Sequence, residues 1–374
     1  MTVKETLLAS DYIIAALRNM IDGTPTPRIP EGTSYGVVYN LAKSHSLHGA
    51  VFAAIETELK NEADPRLYEH WKRERDISFI VNMKQTAEFS TLTELFTKEK
   101  ISFLPLKGFM LKELYPSPEL RVMSDLDIYV SHEHIDRAKE LMRGIGYINK
   151  AEGIVDDSMI KPPYLLVELH KLVEAKSEFS FSDCKTKENN PYWHLMYDED
   201  FFVFLISHAH KHYCVGGCGI RTVLDLYLYK KKYRSVVDSK VTAEKLSSRG
   251  FSEFCADILA LGDLWFEGKA CERDLSNMGN IIATGGVYGT NTNTIGMAIE
   301  KKGKFKYIIS RIFPSPQMIK ERYRWVRKAP ILLPIGYIWR WIQSIFNGRV
   351  AMNMTEIAKA EKNQREIEET KNIK

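Results

Sequence analysis

The stretch LKGFMLKELYPSPELRVMSDLDIYV, Leu106 to Val130, decides the fold. Its last six residues alternate cleanly: Leu126, Ile128 and Val130 share one face of a strand, and Asp125, Asp127 and Tyr129 share the other. Upstream, Ile101 to Leu106 reads as another strand, and Gly108 opens a short helix, Phe109 to Tyr115, that Pro116 and Pro118 terminate. Two carboxylates at i and i+2 place their α-carbons about 6.6 Å apart. That separation suits a pair of cations roughly 3.5 to 4 Å apart, the geometry of in-line displacement at phosphorus. Magnesium, or manganese in its place, is the natural occupant, because hard oxygen ligands suit it and it shares its shell with substrate phosphates. A strand D-x-D alone is weak evidence, since any exposed edge holds two acids.

The surroundings add weight. The Lys107-Gly108 turn passes from strand to helix, where backbone N–H groups are free to meet a phosphate and Gly108 allows a close approach. Lys107 can neutralise that phosphate, Arg121 lies four residues before Asp125, and the Ser124 hydroxyl can hydrogen-bond locally. Each of these residues taken singly reads equally well as a solvated charge or a turn. Further along, Tyr164 to His170 is a strand with Leu165, Val167 and Leu169 on one face and Leu166, Glu168 and His170 on the other. Glu168 supplies a third acid, able to take a proton from an attacking hydroxyl and to share a metal, or else a strand-end glutamate facing water.

Working outward, a helix from about Glu133 to Arg143 buries Ile135, Ala138, Leu141 and Met142 and stops at Gly144 and Gly146. A loop surrounds Asp156 and Asp157. The expected architecture is α+β: a helical region over 1–98, a small mixed-sheet domain over 99–185, a helical domain over 186–350 and a charged tail over 351–374. The prolines of Gly23 to Ser34 mark a surface loop, and the glycines between Gly279 and Gly296 predict another. A chain of 374 residues agrees with two to three domains.

Composition narrows the class. With 44% hydrophobic and 27% charged residues the chain is globular, and its net charge of +4 is unevenly spread. Between Lys301 and Arg349 twelve Lys or Arg stand against one acid, Glu321, so that the rest of the chain carries about −7. Five cysteines with no CxxC pair favour a reducing, cytoplasmic setting, and the N-terminus lacks a signal-peptide pattern. Ile331 to Phe346, with Pro334 and Arg340, is too short and interrupted for a transmembrane segment.

Two rival constellations stand beside the carboxylates. Ser207 to Cys218 offers His208, His210, His212, Cys214 and Cys218, and on a helix His208 and His212 share a face as zinc ligands do; they read equally as packing or as one wall of a cleft. In residues 301–349, aromatic residues interleave with the cations, which suits an RNA backbone, an anionic membrane surface, or a helical domain with an aromatic core and solvated charges.

The run K-G, a short helix, Y-P-x-P, R-x-M-S-D-L-D and then V-E-L-H resembles the uncharacterised nucleotidyltransferase family of the polymerase β superfamily, related to abortive-infection nucleotidyltransferase toxins. Leu41, Ala42 and His45, Ser207 to His212, Arg221 to Leu226, Gly285 to Gly289 and the stretch FPSPQMIKERYRWVRKAPILLPIGYIWR extend the resemblance. It implies transfer of a nucleoside monophosphate from a nucleoside triphosphate to an acceptor hydroxyl, with release of pyrophosphate. Asp125, Asp127 and Glu168 would be the catalytic and metal-binding residues, and Lys107, Gly108, Arg121 and Ser124 would bind nucleotide. The superfamily's usual Gly-Ser turn is here Lys107-Gly108. The acceptor is open among small molecules, peptides or proteins, and RNA. The alternatives are a non-catalytic nucleotide- or RNA-binding protein using the basic segment, and a tRNA-modifying toxin of the same fold.

Overall fold

The computed structural model describes residues 2–163, 165–173, 179–287, 289–346, 355–363 and 365–366. Tyr164 of the expected strand, Arg349 of the basic segment and most of the 351–374 tail lie outside the described residues. Four helices lead: α1 (Val3–Asp22), α2 (Tyr35–Ser44), α3 (His48–Glu62) and α4 (Pro65–Lys98). Thr2 and Glu5 form a capping box at the start of α1, and Gly23 ends it at φ 76°, a left-handed turn that glycine adopts without strain. Asp64 and Pro65 start α4, which is 34 residues long.

The sheet has seven strands in the order β3-β4-β5-β2-β1-β7-β6. These are β1 (Phe103–Pro105), β2 (Leu126–Val130), β3 (Ile148–Glu152), β4 (Asp156–Lys161), β5 (Leu165–His170), β6 (Cys184–Lys187) and β7 (Asn190–Met196). The short helix α5 (Gly108–Leu111) follows β1, and α6 (Ile135–Gly144) follows β2. β2 runs parallel to β5, and β1 runs antiparallel to β2 and parallel to β7. The apolar faces of β2 and β5 pack beneath α4 and α6 through Phe89, Leu92, Phe96, Ile135 and Met142.

Several expectations change. The loop expected around Asp156 and Asp157 is instead the start of β4, which pairs with β3 in a hairpin; β3 is exposed throughout and shows no alternation to read. The region expected to be helical from 186 opens instead with the β6–β7 hairpin, which continues the sheet across residue 185.

The remaining helices are α7 (Asp198–Tyr213), α8 (Gly219–Lys232), α9 (Arg234–Val237), α10 (Lys240–Ser248), α11 (Ser252–Glu267), α12 (Ser276–Gly285), α13 (Asn291–Lys302), α14 (Lys304–Ile312), α15 (Pro316–Arg322), α16 (Arg324–Lys328) and α17 (Leu333–Phe346). The stretch from Gly279 to Gly296, expected as a loop, is therefore mostly helix. Its glycines serve close approach: a Cβ on Gly285 would stand 2.9 Å from the Gly216 carbonyl oxygen. The leader helices share one apolar core with α7, α8 and α11, built on Ile13, Phe52, Trp71, Phe202, Val223 and Ile258. Buried His45 ties the parts together, with Nδ1 accepting from the Ile220 N–H and Nε2–H donating to the Ala283 carbonyl. Among the described residues no helix is long and apolar enough to cross a membrane.

Candidate active site

Parallel pairing of β2 with β5 sets Asp127 opposite Glu168 and Tyr129 opposite His170. One ligand atom each from Asp127, Glu168 and His170 lies within 4.8 Å of the others, the one group of three or more such side chains this close among the described residues. His170 Nε2 is 2.7 Å from Asp127 Oδ1 and 3.9 Å from Glu168 Oε2. Lys107 Nζ stands 3.7 Å from the same Asp127 oxygen. Asp125 lies one residue before β2 and carries a hydrogen bond from Ser124.

These neighbours pull the acids apart. Burial first, then the Asp127 charge, raises the Asp125 carboxyl above its ordinary value. Glu168 is raised by burial and by Asp125 and Asp127. Burial also opposes ionisation of Asp127, but Lys107 and the His170 hydrogen bond outweigh it and hold that carboxyl well below the usual range. A face that resists full ionisation of two of its three acids fits a bound divalent cation, whose charge offsets their repulsion.

Helices α7 and α8 supply the opposite wall. A cavity of about 960 Å³ is lined by Lys107, Gly108, Asp125, Asp127, Glu168 and His170 on one side and by His208, Lys211, His212 and Arg221 on the other. The His208 and His212 rings lie 4.4 Å apart, and burial, followed by Lys107, pushes both below their ordinary value. His210 turns away, packing against Phe251 and Phe254, and Cys218 is buried. The histidine and cysteine run therefore divides among cavity, core and surface, where Cys214 is exposed beside His210, and gathers no zinc-type cluster among the described residues.

The predicted nucleotide-binding residues occupy different places. Lys107 lies at φ 37°, in the left-handed region, with its ammonium over Asp127. Arg121 lines the cavity, yet it is only 6% exposed and forks onto Asp225 of α8, with Nε–Oδ1 2.9 Å and Nη2–Oδ2 2.8 Å. The Tyr115 hydroxyl donates to the same carboxylate, and Arg221 Nη1 donates to the Val122 carbonyl. A Cβ at Gly108 would meet Arg121 Nη1 at 2.9 Å, so packing against this pinned guanidinium demands glycine. His170 shares the Glu168 face and ends the V-E-L-H run, and Lys211 and Asp225 fall in runs that extend the resemblance, but nothing in the sequence marks what these three side chains touch.

Acidic strands thus face a helical wall that carries Lys211 and Arg221 across the cavity. The chain belongs to the nucleotidyltransferases: the family described as an uncharacterised nucleotidyltransferase matches residues 33–267, from the start of the second leader helix to the end of α11. No curated protein matches the chain.

Proposed function

We propose that this protein transfers a nucleoside monophosphate from a nucleoside triphosphate to an acceptor hydroxyl, releasing pyrophosphate. The carrying observation is the register that sets Asp127 beside Glu168 on the face that also bears His170 and follows Asp125. Asp125, Asp127 and Glu168 would hold magnesium or manganese, which when bound supplies charge neutralisation of the triphosphate and a more acidic attacking hydroxyl. His170 hydrogen-bonds Asp127 and orients it, as partners of metal ligands do. Glu168, with its raised proton affinity, is placed to accept the proton of the acceptor hydroxyl. Lys107 and the N–H groups of Gly108 and Phe109 at the start of α5 receive phosphate oxygens beside Ser124, the Met110 and Leu111 N–H groups being bonded to the Lys107 carbonyl. Arg121 acts as a positioning residue, since its guanidinium is already engaged by Asp225.

The test offers each of four labelled ribonucleoside triphosphates, with magnesium or manganese, to the protein and to its Asp125→Asn/Asp127→Asn variant in cell extract. Label moving only with wild-type protein and metal is expected, at least about a thousandfold above the variant, and the labelled fraction names the acceptor class. Triphosphate binding without any transfer would favour a nucleotide-binding protein, and equal labelling by the variant would remove the two-carboxylate mechanism.

A further inference from the structure

We propose that α14 and α17 form a docking face for the surface of an anionic lipid bilayer. α14 exposes Phe305, Ile309 and Ile312, spaced i, i+4, i+7, and α17 exposes Ile335, Ile338, Trp339 and Ile342, again one helical stripe. Both helices are held from behind. Tyr307 of α14 packs with Ile295 and Ala360, while Leu333 and Tyr337 pack on Ile319, Tyr323 and Val326. Arg340 and Trp341 of α17 donate to the Arg311 and Ile312 carbonyls at the end of α14, joining the two. The outward stripes are thus surplus to the core, and apolar surface of this extent marks an interaction site.

Charge selects the occupant. Residues 301–349 hold twelve cations and one acid, and Lys306, Arg311, Arg322, Arg327 and Lys328 are exposed, which favours an anionic surface. Two copies of such a segment would repel each other. A nucleic-acid strand needs free rings to stack on its bases. Here part of the ring set is used internally: Trp341 packs edge-on against Phe313 at 5.2 Å and beside Tyr337 at 6.4 Å, and Tyr323 lies 5.9 Å from Trp325, while Phe305, Phe313, Trp325 and Trp339 keep an exposed edge. The Tyr337 hydroxyl and the Trp341 indole N–H bond carbonyls of Pro314 and Ile312. On the outward stripes five isoleucines, Ile309, Ile312, Ile335, Ile338 and Ile342, stand beside the rings of Phe305 and Trp339, and isoleucine fits hydrocarbon and stacks on no base. α17 has 14 residues, too few to span, so the face lies in the membrane interface plane.

Full-length protein sedimented with vesicles tests this reading, which does not depend on the reaction proposed above. Binding to equal parts phosphatidylcholine and phosphatidylglycerol should be about tenfold tighter than to phosphatidylcholine alone. Ile338→Asp/Ile342→Asp should weaken it by about tenfold or more, and Lys306→Glu/Arg311→Glu should weaken it too, each with an unchanged Tm. Should the aspartate variant unfold, Ile335→Ser/Ile338→Ser carries the test. No vesicle binding, or binding indifferent to the isoleucines, overturns the proposal. So does single-stranded RNA binding with vesicles ignored, or a vesicle-independent dimer that the isoleucine variant dissociates.

Discussion

The two faces of the β2–β5 strand pair share one backbone and one register, yet carry opposite contents. On the inner face Leu126, Ile128, Val167 and Leu169 are each 1% exposed or less beneath α4 and α6. One residue out of phase, Asp127, Glu168 and His170 crowd together on the other. A slip of one position would exchange the faces and bury the acids in the core. The apolar half therefore fixes the register that sets the acids of the other half side by side.

The largest test attacks the support between sheet and helices. Asp225→Asn leaves Arg121 buried and charged on an amide, and should lower the unfolding free energy by about 4 kcal/mol in urea titration. The Arg121→Met/Asp225→Leu double variant should recover most of that loss; no recovery would mean that the guanidinium also packs irreplaceably against Gly108. Next, Ile128→Ala on the apolar face should cost about 3 kcal/mol while triphosphate affinity per folded molecule is retained. A parallel fall in affinity would break the separation between the faces.

The polar face gives two finer tests. Metal ligands bind deprotonated, and the folded protein holds the Glu168 proton to higher pH than an ordinary glutamate with its value of 4.5. Magnesium affinity read by calorimetry should therefore begin to fall above that value as the pH drops, and Glu168→Gln should remove this step. The smallest effect is on Tm without metal. Folding raises the Asp125 carboxyl, so its charge costs stability above its ordinary value of 3.8, and at neutral pH Asp125→Asn should slightly raise the Tm. Asp127 is held low, so its charge contributes stability that is present above 3.8 and lost as the pH falls further, and Asp127→Asn should lower the Tm. Equal signs for the two variants would show that the neighbours do not distinguish the acids.

The sequence made the acid-bearing strands legible because alternation encodes facing: the shared face of Asp125 and Asp127 and the facing of Glu168 follow from period-two patterning, and the family resemblance draws on the same run. It concealed what depends on distant pairing. The Arg121–Asp225 fork joins residues 104 apart, so Arg121 read as a phosphate ligand when its guanidinium is spent on a carboxylate. Glycines between Gly279 and Gly296 read as loop, because a sequence does not show that a backbone will pass within contact distance of Gly285. β3 stayed hidden because all five of its residues face solvent.

The cavity lies between the acidic face of the sheet and helices α7 and α8, and the sheet and α7 also share a small buried cluster of Leu104, Leu106, Tyr129, Met196 and Phe204. The acids belong to the first, while His208, Lys211 and Arg221 belong to the second. The two walls come from different segments of the chain, so a substitution on the helical wall changes the lining of the cavity without altering the side chains of the acidic strands.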